Sequence, residues 1–144
     1  MKHKIKKIKV SGGQDANQML VRKLAMNFLV SSKIVTTEKK ARILKSFMDR
    51  VISKARNKTE ANKNVLLRYF PKKYVVNELF AQASAVFANR DGGYVRVIRL
   101  NQRANDGAMM NQVEWVEPIT FDFTSKVKKT EDKPKKVKVT KENS

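Results

Sequence analysis

The sequence predicts an α+β fold, in which helices pack against a small antiparallel or mixed sheet and a basic, disordered C-terminal tail follows. Apolar residues recur at helical spacing in three segments before residue 88. After residue 93, two segments alternate apolar with polar residues, as half-buried strands do. A turn rich in Asn, Asp and Gly separates these two segments, which predicts that they pair as an antiparallel hairpin.

The first predicted helix spans residues 16–31, with Asp15 as its N-cap. The β-branched run 34–36 follows and predicts a short strand, a possible third member of the sheet. Thr37 is expected to cap the next helix, predicted over about 38–57. That helix has the clearest pattern, because its apolar residues form one stripe while lysines and arginines occupy the remaining faces. The stripe consists of Ile43, Leu44, Phe47, Met48, Val51, Ile52 and Ala55.

Two further helices are expected on either side of a proline. Thr59-Glu60 can start a short third helix that stops before Pro71, and Pro71 can occupy the first turn of the fourth. The predicted buried face of the fourth helix consists of Val75, Val76, Leu79, Phe80, Ala83, Val86 and Phe87. Helical spacing then fails, and the two predicted strands of the hairpin cover residues 94–100 and 113–116.

Length and charge divide the chain into three parts. With 144 residues and 41% hydrophobic content, the chain can build one modest core. We therefore predict a basic N-terminal arm over residues 1–14 and a single α+β domain over residues 15–121. Residues 122–144 have too little apolar area to offset the entropy cost of ordering, so a disordered lysine-rich tail is expected there.

Several classes of function lack the residues that they require. The chain has no Cys, so disulfides, Cys-ligated zinc and thiolate catalysis are excluded. Its one histidine, His3, lies in a basic terminus where a general base could not be held in position. The carboxylates form no metal-ligand spacing, and neither Gly-Gly pair belongs to a P-loop. We expect no enzyme, no cofactor, no metal and no small-molecule substrate.

Membrane association is not expected either. The N-terminal segment alternates Lys with single apolar residues, which is unlike a signal peptide. No apolar run approaches the roughly 20 residues of a membrane span. The composition therefore predicts a soluble, cytosolic chain.

The charge indicates a polyanionic partner. The formal net charge is +19, and residues 1–58 alone contain 16 basic and three acidic side chains. Two glycines, Gly92 and Gly93, stand close to Arg90, Arg96 and Arg99, where they could let a polyanion approach the backbone. A plain tight turn explains the two glycines about equally well. The adjacent tyrosine could stack on a base, although an aromatic residue in an alternating strand is more often part of the core.

A resemblance to a known family rests on several collinear blocks. Residues 90–100 read RDGGYVRVIRL and residues 103–110 read RANDGAMM. These closely resemble the Arg-x-Gly-Gly-Tyr-Thr-Arg and Arg-x-Gly-Asp-x-Ala-x-Met signature of the bacterial large-subunit ribosomal protein seventeen family. The opening Met-Lys-His-Lys and residues 21–56 resemble that family as well, so the similarity covers about residues 1–118. The sequence departs from the family pattern at residues 16–19, at 32–33 and at Asn105.

The resemblance implies a structural constituent of the large ribosomal subunit in the cytoplasm. Such a protein binds and stabilises folded large-subunit rRNA through Lys/Arg–phosphate contacts, which release condensed counterions. The implied partners are this rRNA and neighbouring large-subunit ribosomal proteins near the peptide-exit region. The candidate RNA-binding residues are His3, Lys4, Lys6, Lys7, Arg22, Lys23, Lys39, Arg42, Arg90, Gly92, Gly93, Arg96, Arg99 and Arg103.

Two other classes of function are weighed against this interpretation. A nucleoid or regulatory DNA-binding protein shares the charge, but it should show a helix-turn-helix or dimerising heptads, and neither is clear in the sequence. A small hydrolase or transferase needs a clustered nucleophile and base, which a single histidine cannot supply.

Overall fold

The computed structural model describes residues 12–121 and residue 123, so nearly all of the predicted arm and tail lies outside the described residues. The α+β class is confirmed. The helices are α1 (Gln14–Ser31), α2 (Glu38–Arg56), α3 (Glu60–Tyr69) and α4 (Lys73–Val86). The strands are β1 (Lys33–Thr37), β2 (Val95–Gln102) and β3 (Met109–Trp115).

The three strands form one antiparallel sheet in the order β1-β3-β2. Ile34 of β1 and Val97 of β2 both stand opposite Val113 of the central strand, which fixes the register. A one-residue irregularity in β2 shifts the register between Arg99 and Gln102. The predicted hairpin and its third strand are thus both present, and the third strand joins the hairpin on the β3 side.

One face of the sheet packs against the helices, and no described helix or strand covers the other face. The inner row of β3 ends in Val113 and Trp115, both buried. On the outer face, Glu114 stands opposite Lys33 and Arg96 in the neighbouring strands. Alternation along each strand produces this division, because successive side chains point to opposite faces.

Helix α2 organises the core, as its clear apolar stripe predicts. It contacts the other three helices and all three strands. All but one of the stripe residues are buried, and the exception, Ile43, is half-buried at the edge of a cleft. The helical period of this stripe thus places the basic faces of α2 toward solvent.

Aromatic rings join α1 to the sheet and to the segment after β3. The ring centroids of Phe28 and Trp115 lie 4.4 Å apart, and Phe121 lies 5.8 Å from Trp115. Phe123 stacks on Phe121 and is only 8% exposed. Ser32 Oγ donates a hydrogen bond of 3.1 Å to the Ile119 carbonyl, which ties this segment to the end of α1. The packed body therefore includes Phe123.

Some element boundaries differ from the predicted ones. Helix α1 begins at Gln14 with Gly13 at its N-cap, so Asp15 lies in the first turn and does not cap the helix. Pro71 does not lie in the first turn of α4, which begins at Lys73. The residue before a proline is restricted to extended conformations, and the buried Phe70 adopts one at the end of α3. One residue, the N-cap Lys72, separates Pro71 from the start of α4.

Candidate nucleic-acid interface

The candidate residues are distributed over several elements of the body. Arg22 and Lys23 lie on α1, and Lys39 and Arg42 lie on α2. Those in the C-terminal half are Arg90, Gly92 and Gly93 before β2, Arg96 and Arg99 in β2, and Arg103 in the hairpin turn. The arm residues His3, Lys4, Lys6 and Lys7 lie outside the described residues. The described candidates thus form a dispersed basic surface.

The loop that carries the two glycines is held at both ends by α2. Arg56 donates hydrogen bonds to the Ala88 carbonyl (3.0 Å), to Tyr94 Oη (3.2 Å) and to Asp91 Oδ1 (3.3 Å). Asp49 Oδ1 accepts a hydrogen bond from the Tyr94 backbone N–H at 3.0 Å. The hydrogen bond to Tyr94 is the main cause that raises the pKa of Arg56 above its ordinary value. Arg56 and Asp49 therefore fix the conformation of residues 88–94.

Tyr94 belongs to the core. Its side chain is buried, and its ring meets Phe87 edge-on at a centroid distance of 5.0 Å. A ring held in this way cannot stack on a base. The loop therefore offers its backbone and its cations to a ligand, and it offers no aromatic surface.

The two glycines differ in what the backbone requires of them. Gly93 has φ +65°, a left-handed conformation that side chains with a Cβ rarely adopt, whereas Gly92 has no positive φ. A Cβ at either position would meet no atom within 4 Å, so both face open space. A tight turn therefore explains Gly93 but leaves Gly92 unexplained.

This difference makes single substitutions informative. We expect Gly93→Ala to cost about 1–2 kcal/mol of folding free energy, because of its left-handed backbone. Gly92→Ala should change the free energy of unfolding by no more than about 0.5 kcal/mol. If RNA approaches the backbone at Gly92, the same substitution should weaken binding to large-subunit rRNA about tenfold, equivalent to about 1.4 kcal/mol. Thermal melts and filter binding measure the two effects, and unchanged RNA affinity of Gly92→Ala would favour the plain turn.

Four of the candidate arginines are paired with carboxylates of the body. Arg42 pairs with Glu38 one turn earlier, Arg96 with Glu114 across the sheet, and Arg90 with Glu117 at 3.4 Å. Arg103 binds both carboxylate oxygens of Asp106, at 2.9 and 2.5 Å. Exposed pairs of this kind are worth at most about 1 kcal/mol, so an approaching phosphate can compete for the same guanidinium groups.

The hairpin turn shows that one of these pairs also has a local role. Asp106 accepts hydrogen bonds from Arg103 and from the Ala108 backbone N–H. Arg103 is the largest cause that lowers the pKa of Asp106 to about 2, and the Ala108 bond adds to it. Arg103 therefore closes the turn between β2 and β3 in addition to its candidate role in RNA binding.

The other candidate cations have no carboxylate partner within the part of the chain that the structure describes. Within residues 12–121, no ion pair involves Arg22, Lys23, Lys39 or Arg99. Two further arginines, Arg50 and Arg68, belong to the same unpaired group, although no sequence motif singles them out. They share a cleft between α1, α2 and α3 with Arg22. Their convergence depends on how three helices pack, so no local pattern could reveal it.

Other kinds of site are not seen in the described part of the chain. Residues 12–121 contain no group of three or more His, Cys, Asp or Glu side chains placed to hold a metal ion. In the same range, no helix has the length and apolar character needed to span a membrane.

Comparison with known proteins identifies the family. The family model for ribosomal protein L17 matches residues 20–116. The chain is 36% identical over 117 residues to the large ribosomal subunit protein bL17 of Borreliella afzelii (strain PKo), covering 81% of this chain and 95% of that protein. It is 34% identical over 106 residues to the bL17 of Carboxydothermus hydrogenoformans, covering 74% and 95% of the two chains. The predicted resemblance is thus confirmed, and the chain belongs to the ribosomal protein L17 family.

Proposed function

We propose that this chain, by family a structural protein of the large ribosomal subunit, stabilises folded large-subunit rRNA by neutralising its phosphates. The observation that carries the proposal is the set of cations that have no acidic partner among the described residues, in a chain of net charge +19. A cation that is not balanced within the protein is free to replace the counterions of a phosphate.

The geometry favours recognition of RNA shape over sequence. The described candidate cations lie on helices, a strand and a turn, which hold them at fixed positions relative to one another. A rigid array of cations selects folded RNA whose phosphates match its spacing. The aromatic side chain nearest the glycine loop, Tyr94, is buried, which leaves charge and backbone contacts as the means of binding there.

The same proposal includes the N-terminal arm and the position of the chain in the subunit. We place His3, Lys4, Lys6 and Lys7 on rRNA, since they extend the basic character of the body along the chain. Family membership supports neighbouring large-subunit proteins as further partners, and a position near the peptide-exit region belongs to this proposal. The lysine-rich tail would add affinity as an auxiliary polycation without specifying the site.

Competition between nucleic acids tests the proposal. The full chain is titrated with large-subunit rRNA and with duplex DNA at equal phosphate concentration and physiological salt. Specific sites typically exceed non-specific binding by about 10³-fold or more, and we expect a preference of this order for the rRNA. Equal affinity for both would identify a general polyanion binder and would favour a DNA-associated role.

A further inference from the structure

Three arginines from three different helices line one cleft of the body. Arg22 of α1, Arg50 of α2 and Arg68 of α3 surround a cavity of about 420 Å³. We propose that this cleft binds an unpaired nucleotide of RNA, with its phosphate between the arginines and its base against the apolar wall. The proposal rests on the rRNA-binding function above and specifies which RNA feature, an unpaired nucleotide, binds in this cleft.

The charges of the cleft call for an anion. Among the described residues, none that lines the cleft is acidic. Arg22 and Arg68 form no ion pair within residues 12–121, in contrast to Arg96 of the sheet and Arg103 of the hairpin turn. Arg50 donates through Nε to the Ser46 carbonyl at 3.1 Å, and its terminal nitrogens have no hydrogen-bond partner among the described residues. Three arginines that line one cleft, with no described carboxylate in its lining, repel one another, and a bound phosphate would relieve that repulsion.

The wall of the cleft suits a base. Its apolar lining consists of Val21, Ile43, Phe47, Val65 and Tyr69. The Tyr69 and Phe47 rings meet edge-on with centroids 5.0 Å apart, which holds the half-buried Tyr69 ring in place. The volume lies within the range of about 300–1,000 Å³ that is typical of small-ligand sites. A paired base is stacked inside its helix and cannot enter such a cleft, whereas an unpaired one can turn out and contact an aromatic ring.

The cleft also connects to the glycine loop. Arg50, Val65 and Tyr69 line a neighbouring groove that reaches Gly92. That groove is also lined by Lys54 and by the carboxylates of Asp49 and Asp91. Asp49 accepts a hydrogen bond from the Tyr94 backbone N–H, and Asp91 pairs with Arg56. An RNA strand that places one nucleotide in the cleft can therefore continue along α2 toward the loop. The shared lining residues connect the cleft to the candidate interface, so the cleft is not an isolated cavity.

A pair of RNA hairpins tests the proposal. One has a single unpaired nucleotide in its stem, and the other has the same stem fully paired. We expect the full chain to bind the first about tenfold more tightly, within the range reported for stacking of one base. The triple variant Arg22→Gln, Arg50→Gln, Arg68→Gln should bind both hairpins equally.

The matched control removes three charges elsewhere. Lys45, Lys58 and Lys73 are exposed, and none lines the cleft or the groove. The variant with all three changed to Gln should bind both hairpins more weakly but keep the preference for the unpaired nucleotide. Circular dichroism melts establish that the variants are folded, and Arg68→Gln alone replaces the triple variant if that one melts early.

Two results would overturn the cleft assignment. The first is equal binding of both hairpins by the unmodified chain, and the second is a preference that survives in the cleft variant. If the cleft variant keeps the preference but loses binding to a polyglutamate peptide, the cleft would instead accept an acidic protein segment. The proposed function is tested by a different experiment, the titration with large-subunit rRNA and duplex DNA. It would be overturned if the unmodified chain showed no preference for the rRNA, whatever the result with the two hairpins.

Discussion

Replacing Phe28 with Ala is expected to lower the free energy of unfolding by about 3–5 kcal/mol. Phe28 is fully buried, and its ring lies 4.4 Å from that of Trp115. The substitution removes the ring that joins α1 to the central strand and leaves a cavity between them. Since small domains are stable by only about 5–15 kcal/mol, this one change removes a large part of the total.

The matched control is Val30→Ala on the same helix. Val30 is 62% exposed, so its truncation should change stability by no more than about 0.5 kcal/mol. Urea unfolding followed by far-ultraviolet circular dichroism measures both variants, because the fluorescence of Trp115 is itself altered by the loss of Phe28. Equal midpoints for the two variants would show that α1 does not depend on this contact.

A helix could be predicted when its apolar period and its capping residue both lie within one continuous segment of the sequence. The prediction for α2, residues 38–57, differs from the observed Glu38–Arg56 by one residue, because the apolar period is uninterrupted. Thr59 was identified as the start of α3, and its side chain accepts a hydrogen bond from the Asn62 backbone N–H. The predicted start of α4 at Pro71 is too early, because a proline can either open a helix or precede its first turn, and α4 begins at Lys73.

The order of the strands could not be predicted in the same way. The alternation of apolar and polar residues identifies a strand and its buried face, but it does not determine which strand pairs with it. The short strand β1 pairs with β3 across more than 70 residues of chain, and this places β3 at the centre. The length of β3 was also underestimated, because Asn111, a polar residue, is buried on its inner face.

The candidate interface shows the same division between local and long-range information. The motif around Gly92 and the basic residues of α2 are visible in the sequence. The hydrogen bonds from Arg56 to the glycine loop are not visible there, because Arg56 lies more than 30 residues from each of its partners. The convergence of Arg22, Arg50 and Arg68 likewise arises only when three helices pack. The sequence thus shows where basic residues lie along the chain, and the packing of the helices decides which of them line the same cleft.

Unpaired and paired lysines should contribute differently to the salt dependence of rRNA binding. Lys39 forms no ion pair in the described residues, whereas Lys63 pairs with Glu60 at 3.1 Å. If Lys39 lies on a phosphate, Lys39→Gln should reduce the log-log slope of affinity against salt by about one phosphate. Lys63→Gln removes the same charge from a neutralised pair and should leave the slope nearly unchanged.

The salt dependence of the unmodified chain tests the central claim most directly, namely that phosphate neutralisation holds the rRNA. Each neutralised phosphate contributes a slope of about −0.7 to −0.9, so six or more contacts should lower the affinity about 10³-fold or more between 50 and 200 mM salt. The measurement is a titration of large-subunit rRNA with the full chain at several salt concentrations. A steep, linear log-log plot is the result that we expect, and a slope near zero would contradict the claim.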